Sequence, residues 1–247
     1  MKISGALITL DEEKNLPRAL ASLAFCDEIV VLDSGSADRT VELARQAGAR
    51  VEQRAWTGYA DQKNAVAALA SHDWILSLDA DEEVSPELAA SIARLRAEGP
   101  AAAGYAFPRR ARYLGRWIGH GGWYPDAKVR LYDRRKARWR GNYVHESVVA
   151  DAETGRLDGD LLHYTCDTFS QHIQSVDRYT TLAARQMRAA GRRPSLARLV
   201  VAPPWTAFRT YVLQRGFLDG VQGLLIAAMA GFYVFAKYAK AREGEPG

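Results

Sequence analysis

From residue 3 to residue 97 the chain alternates short apolar runs with segments of helical period. Ile3–Thr9 and Trp74–Leu78 carry no charge at all, and Glu28–Leu32 carries one only at its first position. A strand without polar alternation has no face to give to water, so both of its faces must be covered. The intervening segments, Leu16–Phe25, Asp38–Gly48, Tyr59–Ala70 and Pro86–Ala97, have the period and punctuation of helices. Pro17 stands in a first turn, Gly48 at a stop, and Ser85-Pro86 at a start. With a brief strand at Ala49–Glu52, the order predicts a mostly parallel sheet flanked by helices, an α/β domain. In such sheets ligands bind beyond the carboxyl ends of the strands.

Two of those ends are chemically distinctive. The second strand runs into Asp33-Ser34-Gly35-Ser36, and the fourth into Asp79-Ala80-Asp81-Glu82. A carboxylate at the first position can accept hydrogen bonds from a ribose hydroxyl or a base N–H. Gly35 permits close backbone approach. Two carboxylates two residues apart repel each other unless a cation lies between them. An oxygen-preferring divalent ion, Mg2+ or Mn2+, is the expected one, bridging carboxylate to substrate phosphate. The bland alternatives are a helix N-cap for the first motif and a solvated acidic turn for the second.

Residues 100–165 change texture, with Gly, Trp, Tyr and Arg in long irregular stretches. Strands are expected at Gly104–Pro108, Lys128–Asp133 and Arg156–His163. The dense arginines (Arg109, Arg110, Arg112, Arg116, then Arg134, Arg135, Arg138 and Arg140) suit a phosphate-bearing ligand or simply a solvated surface. His120 with Trp123 and Tyr124 is a candidate contact for an acceptor sugar. His145 and His163 are candidates for the metal shell or the diphosphate, His163 being assigned to the metal. Arg130, on the Lys128–Asp133 strand, is assigned to donor binding.

The charge is uneven. Residues 178–247 hold 11 Lys and Arg against 3 Asp and Glu, whereas residues 1–177 hold 22 against 26. A basic tail on a mildly acidic head points to an anionic partner. No nucleic-acid reading module is present, so membrane lipid is the expected one. Val221–Ala236 is 16 residues without a charge, short of the roughly 20 that a span requires. It is expected to lie in the interface or to re-enter it, a full span and a soluble homodimer helix being the alternatives. Pro203-Pro204 is expected to break the preceding helical segment. Cys26 and Cys166 have neither zinc spacing nor the number for a disulfide framework. The first apolar run lacks a cleavage-site pattern and is expected to be a core strand, not a signal peptide.

The segments ITLDEEKNLPRALASL, IVVLDSGSADRT, QKNAV and WILSLDADEEVSPEL, in this order, resemble family 2 glycosyltransferases of GT-A fold. YLGRWIGHGGWYPDAKVRLYDRR and VHES are similar to bacterial lipopolysaccharide-core members of the heptose β-1,4-glucosyltransferase type. The resemblance implies a Rossmann-like sheet domain, residues 1–165, and a C-terminal helical membrane-associating extension, residues 166–247. It implies that Asp33 contacts base or ribose, and that Thr9, Leu10 and Glu12 flank the base. Asp79 would lie near the ribose, Asp81 would bind the metal, and Lys63 would lie near the nucleotide. Glu146 is the best match for the general base of an inverting transfer, with Asp126 as runner-up. The implied reaction moves a sugar from a nucleotide-sugar, UDP-glucose by default, to a lipopolysaccharide-core or other lipid-linked acceptor. It would take place on the cytoplasmic face of the bacterial inner membrane, with the enzyme held there peripherally. A polyprenyl-phosphate acceptor, a non-catalytic nucleotide-binding membrane module and a nucleotidyltransferase are the alternatives. The absence of a Gly-rich phosphate loop after the first strand counts against the last.

Overall fold

The computed structural model describes residues 1–141 and 146–243. They form two compact units, one of residues 1–109 and 126–163, the other of residues 110–125 and 164–247.

The first unit is built on a sheet whose uncharged strands lie at its centre, as their composition requires. Strand β1 (Ile3–Thr9) pairs in parallel with β2 (Glu28–Asp33) on one side and β4 (Trp74–Asp79) on the other. Beyond β2 lies β3 (Arg50–Gln53), also parallel. Beyond β4 the sheet turns antiparallel at β8 (Asp126–Asp133), followed by β6 (Gly104–Tyr113), β12 (Leu161–Cys166) and β5 (Glu82–Val84). The short strands β7 (Arg116–Trp117) and β11 (Thr154–Arg156) attach to β6, while β9 (Ala137–Arg140) and β10 (Ser147–Ala150) make a separate hairpin.

Alternate β1 side chains feed two cores. Ile3 and Leu7 pack with Leu16, Leu20 and Leu23 from α1 (Leu16–Ser22), Ala44 from α2 (Thr40–Gln46), and Leu88 and Ile92 from α4 (Pro86–Glu98). Ala6 and Ile8 pack on the opposite face with Val66 and Ala67 of α3 (Tyr59–Leu69), Tyr132 and Trp139. Each fully buried Leu or Ile contributes roughly 1.5–3 kcal/mol relative to exposure. The period of two thus explains why helices cover both faces.

In the second unit, α5 (Phe169–Ala189) starts on a capping box in which the Thr168 hydroxyl accepts from the Gln171 N–H and the Gln171 side chain accepts from the Thr168 N–H. Two apolar helices follow, α6 (Leu196–Phe208) and α7 (Gly220–Arg242), joined by a π-helical turn and a 3-10 turn. Gly231 of α7 lets α6 come close, since a Cβ there would lie 2.9 Å from the Pro203 carbonyl oxygen. Tyr113, Ile118 and Ile226 make a small core with Trp123 and Leu225.

Two expectations are corrected. Pro203 and Pro204 lie inside α6 and do not end it. Their rings remove the two N–H groups that would reach the carbonyls four residues back, but the flanking turns hold the helix. The strand expected at Arg156–His163 is two strands, β11 and β12, parted by a turn through Gly159. Gly159 has φ +99°, and a Cβ there would sit 2.2 Å from the Leu88 backbone nitrogen. Only glycine accommodates both the dihedral and the approach. Gly159→Ala is therefore expected to lower the urea midpoint with an unchanged m-value, by well over the 1 kcal/mol typical of a plain Gly→Ala change.

Candidate active site

Strands β2, β1 and β4 end side by side. Thr9 is in register with Asp33, and Ile8 with Asp79. Two strand spacings therefore separate Asp33 and Asp79, about 10 Å, the two motifs facing one rim. Asp33 is fully buried. Burial pushes its carboxyl up, but hydrogen bonds from the Ser36 hydroxyl, the Ser36 and Gly35 N–H groups and the Thr9 hydroxyl outweigh it and hold Asp33 below the usual carboxylate range.

The loop after β1 is laced to the loop after β2. Asp11 N–H donates to Ser36 Oγ (2.9 Å), Glu12 N–H to Thr40 Oγ1 (2.8 Å), and Ala37 N–H to Asp11 Oδ1 (2.8 Å). Asp11 holds φ 54°, a left-handed conformation that Asp tolerates better than most residues. Leu10 stays half exposed above it.

Around Asp79 the charges form a chain. Lys63, 3% exposed, places Nζ 2.8 Å from Asp79 Oδ1 and 3.6 Å from Glu146 Oε1, and lies over the Trp139 ring. Arg130, also buried, donates from Nη2 to Asp79 Oδ2 (2.9 Å) and to Glu82 Oε1 (2.8 Å). Glu82 has no exposed surface and receives Arg109 as well, at 3.4 Å, and Arg109 in turn pairs with Asp126 at 3.0 Å. The chain thus runs Glu146–Lys63–Asp79–Arg130–Glu82–Arg109–Asp126 and joins both candidate bases. Burial pushes Asp79 up, but Lys63 and Arg130 outweigh it and hold Asp79 far below the usual carboxylate range. Burial opposes the Arg130 charge too, but Glu82 and Asp79 keep it ionised. Arg130 Nε and Nη1 and Glu146 Oε2 are buried without a hydrogen-bond partner among the described residues.

Asp81 stands apart from that chain. Its Oδ2 is 3.2 Å from His163 Nε2, because β12 pairs with β5 and brings His163 into register with Glu82. Glu12 is raised first by burial and further by Asp81, Asp38 and Asp79, against a hydrogen bond from Asn15. The Glu12 carboxylate therefore feels both members of the Asp79/Asp81 pair. Among the described residues no group of three His, Cys, Asp or Glu side chains is arranged to hold a metal ion. Mg2+ and Mn2+ are usually held by one or two protein ligands plus substrate phosphates. The Asp81 carboxylate, with His163 beside it, fits that pattern.

The remaining expected residues fall in three places. Asp126 has both oxygens engaged, by Arg109 and by Lys128 at 3.0 Å. His120, Trp123 and Tyr124 belong to the second unit. There His120 contacts Asp219, and Trp123 packs edge-on against Tyr113. His145 lies outside the described residues. Reading by motif missed Glu82, the third acid of DADEE, which also accepts the Asp79 N–H at 2.9 Å. It missed Asn64 too, which exchanges hydrogen bonds with the Trp139 backbone and so fixes the ring beside Lys63. The signal for Asn64 was the Gln62-Lys63-Asn64 triplet, of which only the lysine was assigned.

A mixed sheet with an acidic pair at the rim, basic groups beneath it and a stitched strand-end loop beside it has the layout of a GT-A glycosyltransferase. Residues 6–177 match the model of glycosyl transferase family 2, and the chain belongs to that family. It is 32% identical over 251 residues to the lipopolysaccharide core biosynthesis glycosyltransferase LpsC of Rhizobium meliloti, covering 97% of this chain and 92% of that one. It is 30% identical to an uncharacterized glycosyltransferase of Rickettsia bellii, covering 98% and 86%. The fold is shared with S. aureus TarS 1–349 in complex with UDP-GlcNAc, with TM-score 0.52 and 16% identity over 97% of this chain and 92% of that one.

Lys63→Met leaves Asp79 and Glu146 without their shared cation. Breaking a buried pair costs 3–5 kcal/mol. Asp79 keeps 29% of its side-chain surface, so a loss near the lower end, about 3 kcal/mol, is expected in chemical denaturation. Asp33, with its depressed pKa, contributes stability that is complete above the ordinary value of about 4 and is lost as pH falls through the lower folded value. The stability gap between the parent and Asp33→Asn should accordingly narrow as pH is lowered from about 5 to about 3.

Proposed function

We propose that this glycosyltransferase carries out an inverting, metal-dependent transfer from a nucleotide-sugar, UDP-glucose-like, to a lipopolysaccharide-core or other lipid-linked acceptor. The observation that carries the reading is Glu146. It is a largely buried carboxylate whose Oε2 has no hydrogen-bond partner among the described residues, one lysine away from the Asp79 motif. Both oxygens of Asp126 are engaged, which supports Glu146 as the base.

In this reading Thr9, Leu10, Glu12 and Asp33 receive the nucleoside, and Asp79 orients the ribose side of the donor. Glu146 Oε2 takes the proton of the acceptor hydroxyl. The freed oxygen attacks the anomeric carbon from the face opposite the diphosphate, and the carbon–oxygen bond to the diphosphate breaks with its electron pair leaving on that group. Lys63 and Arg130, with their charge already buried and unable to relax into water, oppose the negative charge that develops. Asp81 and His163 would hold Mn2+ or Mg2+, which would add Lewis-acid neutralisation of the leaving diphosphate. The likeness to LpsC supports the acceptor class and, with it, a peripheral site on the cytoplasmic face of the inner membrane.

The test is release of nucleoside diphosphate and sugar transfer from UDP-glucose with Mn2+. Glu146→Gln is expected to lower kcat by about 10²–10⁴-fold with little change in donor KM, and Asp126→Asn by less than tenfold. Asp81→Ala should abolish the response to added Mn2+. Full transfer by Glu146→Gln would remove it from the mechanism.

A further inference from the structure

Helix α6 is apolar, yet none of its residues is buried. Leu196, Val200, Val201, Trp205 and Phe208 are between 48% and 69% exposed. Leu196, Val200 and Val201, Trp205 and Phe208 follow one another about one helical turn apart, which puts them on one half of the helix. The turn after it exposes Val212, Leu213, Phe217 and Leu218 as well. Monomeric soluble proteins rarely expose contiguous apolar patches of this kind.

The charge around this face identifies its occupant. From Arg178 to Leu218 there are eight arginines and no acidic residue, and Arg192, Arg193, Arg198, Arg209 and Arg215 are exposed. A second copy would bring the same arginines against themselves. An anionic bilayer would meet them with phosphates and the apolar residues with acyl chains.

Helix α7 has the length and hydropathy of a span, but both of its ends are tied to water-facing parts of its own unit. At the start, buried Asp219 accepts from the His120 N–H at 2.8 Å and the Gly119 N–H at 3.2 Å. At the end, Lys240 Nζ donates to Asp177 Oδ1 (2.7 Å) and Thr181 Oγ1 (2.8 Å) of α5, and Arg242 donates to the Pro194 carbonyl (2.7 Å). If α7 crossed a membrane, α5 would cross beside it. With Gln171, His172, Gln174, Asp177, Arg178 and Arg185 along its length, α5 cannot line hydrocarbon.

We infer that the α6 face and the turn after it dock flat on an anionic membrane surface, with the arginines at the headgroups and no segment crossing. This rests on the lipid-linked acceptor of the reading above and names the surface that would meet it.

The test is flotation of the full chain with vesicles of phosphatidylethanolamine and phosphatidylglycerol, against pure phosphatidylcholine. The parent should float with the anionic vesicles. Val201→Glu with Trp205→Glu, both exposed and so neutral to folding, should lower partitioning at least tenfold. Replacing Arg198, Arg209 and Arg215 by Gln should lower it roughly a hundredfold and weaken its salt dependence. Three results would overturn the inference. One is a folded parent that does not float. Another is retention of the five-residue combination like the parent, which would mean that α7 inserts. The third is a stable parent dimer that the glutamates dissociate, which would assign the face to a second copy. Turnover of UDP-glucose without lipid, measured on the same samples, separates loss of docking from failure of the catalytic reading.

Discussion

Everything at the rim depends on cations placed under it before any ligand arrives. Lys63 and Arg130 are buried beside Asp79, and Glu82 balances Arg130 from a position with no exposed surface. Taking such charges out of water is expensive, and only tight mutual pairing offsets the cost. The pairing also keeps Asp79 ionised and fixes its direction. The same lysine reaches Glu146, so the position of the base candidate and that of the motif are set by one side chain. The arrangement is anchored by ordinary structure, since Lys63 is on α3, Arg130 on β8 and Glu82 on β5.

The Asp33 side of the rim is organised differently, by backbone donors and not by ion pairs. Asp33 is held by hydrogen bonds from its own following loop, and the loops after β1 and β2 are stitched by N–H groups onto Ser36, Thr40 and Asp11. An edge made this way is held in place by many short hydrogen bonds without buried ion pairs. The charged groups are gathered instead around Asp79.

The second unit repeats the theme of a buried polar anchor under an exposed surface. Asp219 gathers the Gly119 and His120 N–H groups, and Lys240 binds α7 to α5. With both ends of α7 so fixed, the apolar surplus of this unit is left on α6 and on the turn after it. Its arginines lie on the same elements, so attraction to headgroups and burial of side chains would act together.

The central strands, the helices on both faces and the placement of Asp33 and Asp79 at the carboxyl ends of buried strands were legible in the sequence. Uncharged runs must be covered, and the carboxyl end of a buried strand is where such a chain meets a ligand. The fates of single residues were less legible. His163 faces Asp81 only because β12 pairs antiparallel with β5, a register no local pattern encodes. The break at Gly159 comes from the backbone of α4 pressing on it, and the survival of α6 through Pro203 and Pro204 from the turns around them. Glu82 looked like one more acid in an acidic turn until Arg130 and Arg109, from distant strands, closed on it. Periodicity and strand-end chemistry are local and were carried by the sequence alone. The charge partners of Asp79, Glu82, Asp126 and Glu146 and the ties at both ends of α7 depend on contacts between residues far apart in the chain, and only the tertiary structure decided them.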